Sequence, residues 1–125
     1  MLKNERKKPQ VFMDHIIKIK GKEIGYIRLV NYFHGNGTPH IEYFLEEKYH
    51  RQGIMTQELT KYFKWCKKYD FYQFVAVVED GNEASEKLLK KFNFFKTKNI
   101  DGSVVFVSDR RVDFDALEKY FDQFK

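Results

Sequence analysis

The stretch "YHRQGIMTQEL", Tyr49–Leu59, decides how the rest of the chain is read. Its glycine separates a basic, polar lead-in from residues with helical period. Met55, Leu59, Tyr62, Phe63 and Cys66 recur at the intervals of one helix face. The first N–H groups of a helix have no internal partner, and the helix dipole adds partial positive charge there. A glycine at that turn lets an anion approach the main chain without a Cβ in the way. His50 and Arg51 add charge beside it. The alternative is an ordinary turn into a helix. The loop has neither the Lys-Ser/Thr of a triphosphate loop nor the three glycines of a dinucleotide fingerprint.

Upstream, "IEYFL" (41–45) reads as a short strand in which Ile41, Tyr43 and Leu45 alternate against Glu42 and Phe44. "HGNGTPH" (34–40) is a loop. "HIIKIKGKEIGYIRLVNYF" predicts a hairpin of 14–20 and 23–33 turning at Gly21. Residues 1–12 read as a flexible lead-in to a single domain, 13–125. Downstream, the near-continuous apolar centre of "FYQFVAVVE" predicts a strand buried on both faces. A second helix is expected over 82–92, capped by Asn82, with Ala84, Leu88 and Phe92 on one face and Asn93 in a left-handed turn at its end. Then come "FFKTKNI", a turn at "DGS" and the strand "VVFVS". A last helix over about 113–125 carries the stripe Phe114, Leu117, Phe121 and Phe124, with Asp115 and Glu118 as a capping box. The order β-β-β-α-β-α-β-β-α, with hairpins at both ends and helix crossings between, predicts an α/β fold. It is a single domain with a mixed, mostly antiparallel β-sheet flanked by helices.

Composition sets the bounds. At 125 residues with 42 % hydrophobic and 18 % aromatic content, the chain is globular and long enough for one core. No apolar run approaches the ~20 residues of a membrane helix, so no membrane partner is expected. "MLKNERKKPQ" is basic but lacks the apolar region of a secretory signal. One cysteine, Cys66, cannot form an internal disulfide, which suits a reducing, cytoplasmic setting, and its place on the apolar face predicts a buried thiol. His34, His40 and His50 lack the spacing of a metal site and Cys66 has no companions, so neither a metal nor a cysteine nucleophile is expected. The formal charge of +5 favours anionic partners without choosing among them.

A second motif follows the next strand: "NEASEKLLKKFNF", 82–94. Together with "EEKYHRQGIMTQEL", 46–59, it resembles the GNAT superfamily of N-acetyltransferases, in the branch that includes the ribosomal-protein N-terminal acetyltransferases. That branch carries patterns like "PEYRGKGYMTEAL" and "NxxSxxLLEKLGF" in this order and spacing. The resemblance covers about residues 14–108.

The resemblance implies acetyl-CoA as co-substrate. It places the pyrophosphate on the backbone amides of Arg51, Gln52, Gly53, Ile54, Met55 and Thr56. The pantetheine arm would enter a gap beside the preceding strand, partnered by the backbone of Phe44, Leu45 and Glu46. Asn82 and Ser85 would lie beside the arm, although Asn82 also reads as a helix cap and Ser85 as a small packing residue. Family chemistry is direct transfer of acetyl to an amine. An alkyl ammonium with a pKa near ~10.4 must first lose a proton. Glu42 is the candidate base, with Glu46 and Glu79 as weaker ones, and a solvent-facing or lysine-paired strand glutamate is its ordinary reading.

The chain departs from that pattern in several places. His50 stands where Arg or Gln is usual, Met55 replaces the second glycine or alanine of the general motif, and Asn93 replaces the glycine of "LGF". Leu89 occupies the position of a tyrosine that reprotonates the leaving thiolate, so no acid is assigned. Only about a dozen residues precede the hairpin, too few for the strand and two helices that usually wall the acceptor site. Either another surface is used, or a second subunit completes the wall, or the acceptor side is open. The C-terminal helix is the candidate to fill the gap, and a homodimer through that helix or through the open acceptor side is the partner expected. The leading expectation is an N-acetyltransferase acting on a primary amine. A CoA-binding or protein-interaction module of the same fold is the alternative. A nucleic-acid binder using Tyr32, Phe33, Tyr69 and Tyr72 is a third, disfavoured because strand and helix patterns account for those aromatics.

Overall fold

Lys20 and Gly21 have φ of 50° and 79°. Two left-handed residues in succession are what a tight hairpin turn between right-twisted strands requires. They join β1 (Gln10–Ile19) to β2 (Lys22–Asn31) in a computed structural model that describes residues 8–32 and 38–109. The strand opens at Gln10, inside the segment read as lead-in. Phe12 and Met13 pack against the core, and a bulge at Met13 (φ 49°) re-registers the strand between Phe12 and His15. Residues 1–7, Phe33 and His34 in the loop, and the expected 113–125 helix lie outside the described residues.

β3 (His40–Leu45) runs antiparallel to β2, pairing Val30 with His40 through Gly25 with Leu45. A single 3-10 turn (Glu47–Tyr49) then leads to α1 (Ile54–Lys68). β4 (Val75–Glu79) and α2 (Glu83–Lys91) follow, and the hairpin of β5 (Phe95–Ile100) and β6 (Ser103–Val107) completes a six-stranded sheet in the order β1-β2-β3-β4-β6-β5. All pairs are antiparallel except β3 with β4. The fold is the mixed, mostly antiparallel α/β architecture the element order predicts.

Cross-strand partners share a face. One face carries Ile17, Ile27, Leu29, Ile41, Tyr43, Leu45, Ala76 and Phe106, and packs with Leu59, Tyr62 and Cys66 of α1 and Leu89 of α2. The other presents Tyr26, Arg28, His40, Glu42 and Phe44, and buries Val75, Val105 and Val107 as a second cluster. Two expectations are corrected. β4 is buried on both faces only at Val75 and Ala76, and Val77 is 36 % exposed because β4 has by then lost its neighbour β3. In α2 Ala84 is exposed, and the inner face is formed by Leu88, Leu89 and Phe92. Asn93 does end α2 in the left-handed region, at φ 64°. Among the described residues no helix is long and apolar enough to cross a membrane.

Cys66 is fully buried, and burial pushes its thiol from 9.0 up to about 12. The Tyr62 hydroxyl, which donates to the Met13 carbonyl at 2.7 Å, is also raised, mainly by burial. Both groups are neutral when protonated, so a raised pKa in the folded chain contributes stability that is complete below the unfolded pKa. That contribution is lost as pH rises toward the folded pKa. Stability in urea is therefore expected to fall between about pH 9 and pH 12, and Cys66→Ala is expected to flatten the first part of that fall by about 1.4 kcal/mol per pH unit. Urea titrations of both proteins at pH 8, 10 and 11 check this. Parallel slopes would show that the thiol is not the group responsible.

Candidate active site

The chain leaves β3 through Glu46, whose N–H donates to the Ile24 carbonyl at 2.8 Å and whose carboxylate pairs with Lys22 at 3.7 Å. Tyr49 and His50 close the following turn by donating to the carbonyls of Glu46 and Glu47 at 2.9 and 3.0 Å. His50 turns back, and its Nε2 donates to the Leu45 carbonyl at 2.7 Å. Arg51 (φ 64°) and Gly53 (φ 73°) both take the left-handed conformation and swing the backbone into α1. A Cβ at Gly53 would meet nothing within 4 Å, so the glycine is there for its φ and leaves open space beside the main chain.

The first intrahelical bond of α1 is donated by Gln57 to the Gly53 carbonyl at 3.1 Å. The amides of Arg51, Gln52, Gly53, Ile54, Met55 and Thr56 precede it and find no acceptor among the described residues. Gly53 supplies no capping side chain, and the first turn contains no acidic residue. A helix start normally recruits one or the other. This one has neither, and its positive dipole end adjoins six donors without an acceptor among the described residues.

Beside this loop the sheet parts. β3 and β4 share one bridge, His40 with Val75, where the Val75 N–H donates to the Pro39 carbonyl at 3.0 Å. Beyond it the two strands run unpaired. The bond from Glu46 to Ile24 fixes the alternation along β3, so Glu42 and Phe44 also turn their main chain toward β2. Tyr43 and Leu45 turn theirs toward the split. Of the three backbone partners expected from the sequence, Leu45 alone faces the gap. The alternation of the sequence marks Tyr43 only as a core residue.

Tyr43 also spans the split with its side chain. Its hydroxyl shares a 2.5 Å hydrogen bond with Ser85 Oγ of α2, and burial raises the phenol's pKa against a smaller lowering from Ser85. Asn82 Oδ1 accepts the Ser85 N–H at 3.1 Å and so caps α2. The structure brings Tyr43, Asn82 and Ser85 together on the underside of the split. The pairing of Tyr43 with Ser85 has no signature in either local sequence.

Glu42 lies on the opposite sheet face. Its Oε1 accepts from Arg28 Nε and Nη2 at 3.3 and 3.2 Å, and its Oε2 accepts from the Tyr32 hydroxyl at 2.5 Å. Arg28 is its direct cross-strand partner and stacks over the Tyr26 ring at 4.5 Å. Phe44, half exposed, adds a second ring 5.8 Å from Tyr26. Glu79 ends β4 exposed to solvent. His40 is buried with its ring 4.8 Å from that of Tyr32. Leu89 is 2 % exposed and belongs to the core. Among the described residues no three His, Cys, Asp or Glu side chains gather as metal ligands would.

The sequence profile of the Acetyltransferase (GNAT) family matches residues 2–94. Solved structures of similar fold include an N-acetyltransferase from Staphylococcus aureus Mu50, 20 % identical over 75 % of this chain and 65 % of that one, with a TM-score of 0.68. PaiA N-acetyltransferase from Thermoplasma acidophilum, solved in complex with coenzyme A, is 16 % identical over 79 % of this chain and 60 % of that one, with a TM-score of 0.68. Ribosomal-protein-alanine N-acetyltransferase from Brucella melitensis is 15 % identical over 74 % of this chain and 65 % of that one, with a TM-score of 0.64. At these identities the likeness is one of fold, and the matches reach less than two thirds of the length of those proteins. No curated protein sequence matches the chain.

Proposed function

This chain belongs to the GNAT acetyltransferase family, and on that footing we propose that it moves an acetyl group from acetyl-CoA to a primary amine. One observation carries the reading: six amides with no acceptor among the described residues, Arg51 to Thr56, stand at an uncapped helix start beside two strands that part after a single bridge. Those amides hold the pyrophosphate, where the helix dipole adds to their attraction. The main chain of Leu45 and Tyr43 holds the arm along the edge of β3, while Phe44 and Glu46 shape the entrance without lending it their amides. Asn82 and Ser85 act by fixing the opposite wall, the first through its cap and the second through Tyr43.

Glu42 takes a proton from the substrate ammonium. The neutral amine then attacks the thioester carbonyl, and the C–S bond breaks to release CoA as its thiolate. Arg28 and Tyr32 hold the Glu42 carboxylate in place, as an oriented base requires. Glu42→Gln is expected to lower the turnover number by about 100-fold or more, the usual contribution of a general base, with the acetyl-CoA dissociation constant unchanged. A turnover number within a few-fold of wild type would remove Glu42 from the mechanism and leave it an ion-pair partner of Arg28. The single buried thiol suits a reducing compartment, and the proposal extends to a cytoplasmic location.

Calorimetric titration with acetyl-CoA, followed by detection of free CoA over a panel of polyamine, lysine and peptide N-termini, tests the function. Saturable binding with amine-dependent CoA release is the expected result. Binding without release would favour the CoA-binding module, for which the burial of Leu89 at the tyrosine position speaks. Absence of binding would overturn both.

A further inference from the structure

The C-terminal half of α1 presents a surface that neither the core nor the proposed cofactor loop uses. Lys61, Lys64, Trp65, Lys68 and Tyr69 fall at i, i+3, i+4, i+7 and i+8, and every one is exposed. Tyr72, four residues past the end of the helix, is exposed as well. Trp65, Tyr69 and Tyr72 are 37 %, 60 % and 56 % exposed, whereas the aromatics of the inner face, Tyr62 and Phe63, are buried or partly buried in the core. The sequence pattern assigned Tyr69 and Tyr72 to packing, and their exposure overturns that reason for setting them aside.

The charge is one-sided. Lys61, Lys64, Lys67 and Lys68 are accompanied by Asp70 alone within 61–70, and Glu58 one turn earlier is held by His15. None of the four lysines forms an ion pair among the described residues. Lysines in a last helical turn complement the dipole, which accounts for Lys67 and Lys68 alone. Trp65 stands between Tyr62 and Tyr69, with ring centroids 5.6 and 6.4 Å away at 80° and 85°. Both contacts have the edge-to-face geometry aromatic pairs prefer, and the indole between them remains partly exposed. The stripe centres about 20 Å along the helix from Gly53, well away from the cofactor loop.

We propose that this face of α1 binds single-stranded nucleic acid, with the lysines on phosphates and Trp65, Tyr69 and Tyr72 as stacking platforms. Ammonium groups interleaved with exposed rings are the composition such surfaces use. The exposed apolar groups of this surface are all aromatic with no aliphatic side chain among them, a composition that favours stacking on bases, and lysines alone would suffice for an acidic peptide. A lipid surface is left as an outcome of the test.

Trp65 is the only tryptophan of the chain, which makes the test direct. A 12-nucleotide oligouridylate is titrated into the full chain at 50 and 200 mM KCl, following Trp65 fluorescence and the anisotropy of a labelled strand. Saturable quenching is expected, with affinity falling at least several-fold at the higher salt. Lys64→Glu/Lys68→Glu is expected to weaken binding at least 10-fold. Tyr69→Ala/Tyr72→Ala should weaken it several-fold with the salt dependence retained, because stacking releases no counterions. Urea midpoints of both variants establish that they fold. Absence of quenching, affinity indifferent to Tyr69→Ala/Tyr72→Ala, or equal competition by polyglutamate at matched charge would each overturn the proposal. Tighter binding to phosphatidylserine vesicles than to the oligonucleotide would overturn it as well.

Discussion

Gly53→Asp is expected to abolish measurable acetyl-CoA binding while leaving the chain folded. Two effects act on the ligand. The new carboxylate stands in the open space beside the main chain, and at ~4 Å from a phosphate it opposes binding by about 4 kcal/mol at an effective dielectric constant near ~20. That corresponds to a loss of roughly 1,000-fold. The side chain also covers the donors it would have to clear. The fold is spared for separate reasons. A Cβ at Gly53 meets nothing within 4 Å, Asp tolerates the left-handed region better than most residues, and an acid at a helix N-terminus is favourable by ~0.3–1 kcal/mol. Gly53→Asn is the matching neutral variant, expected to lose about 10-fold in affinity from bulk alone. Calorimetry on wild type and both variants, with urea midpoints alongside, separates charge from shape. Equal affinities for Asp and Asn would mean that no phosphate approaches this glycine.

The second large effect falls on the fold. Gly25 stands opposite Leu45 in the register of β2 and β3, and a Cβ there would sit 2.2 Å from the Phe44 carbonyl oxygen and 3.1 Å from Leu45 Cα. All three nearest atoms are backbone, so no side chain can swing aside. Gly25→Ala must push β3 away from β2 just where Glu46 bonds to Ile24 and where the chain enters the amide-lined loop. A loss of about 3 kcal/mol is expected, at the upper end for overpacking. Gly21→Ala is the comparison: its φ is +79° and its surroundings are open, so it should cost only ~1 kcal/mol through backbone strain. Urea unfolding of the two variants decides the matter. A Gly25→Ala cost no greater than that of Gly21→Ala would mean that the strands separate easily.

Much of this was legible in the sequence because local chemistry and tertiary structure agree. The turn at Gly21, the cap by Asn82, the left-handed Asn93 and the helical period after Gly53 are statements about a few neighbouring residues, and the structure honours each. What failed depends on strands meeting at a distance. The exposure of Val77 follows from the early loss of β3 as a neighbour, which no property of "FYQFVAVVE" encodes. β1 begins at Gln10 because Phe12 and Met13 find the core despite a bulge that breaks their alternation. The candidate site divides the same way. Its loop is local and readable, whereas the Arg28–Glu42–Tyr32 network, the Tyr43–Ser85 bond and the need for glycine at 25 each join separate segments of the chain. A glycine inside a strand did carry a hint, since it commonly marks a close approach of backbones.

The lone bridge between His40 and Val75 makes the sheet a masonry of two three-stranded panels, β1-β2-β3 and β4-β6-β5, with a seam that is open along most of its length. Side chains of one core cluster cross that seam, but the main chain secures it at one end only. On the proposed function, acetyl-CoA lying in the seam would supply the missing mortar. The chain's resistance to heat then becomes a gauge of ligand supply, rising by about 2.7 kcal/mol when the ligand stands at ~100 times its dissociation constant. Under the same proposal, a protein jointed in this way is sturdiest when acetyl-CoA is abundant and easiest for proteases to open when it is scarce.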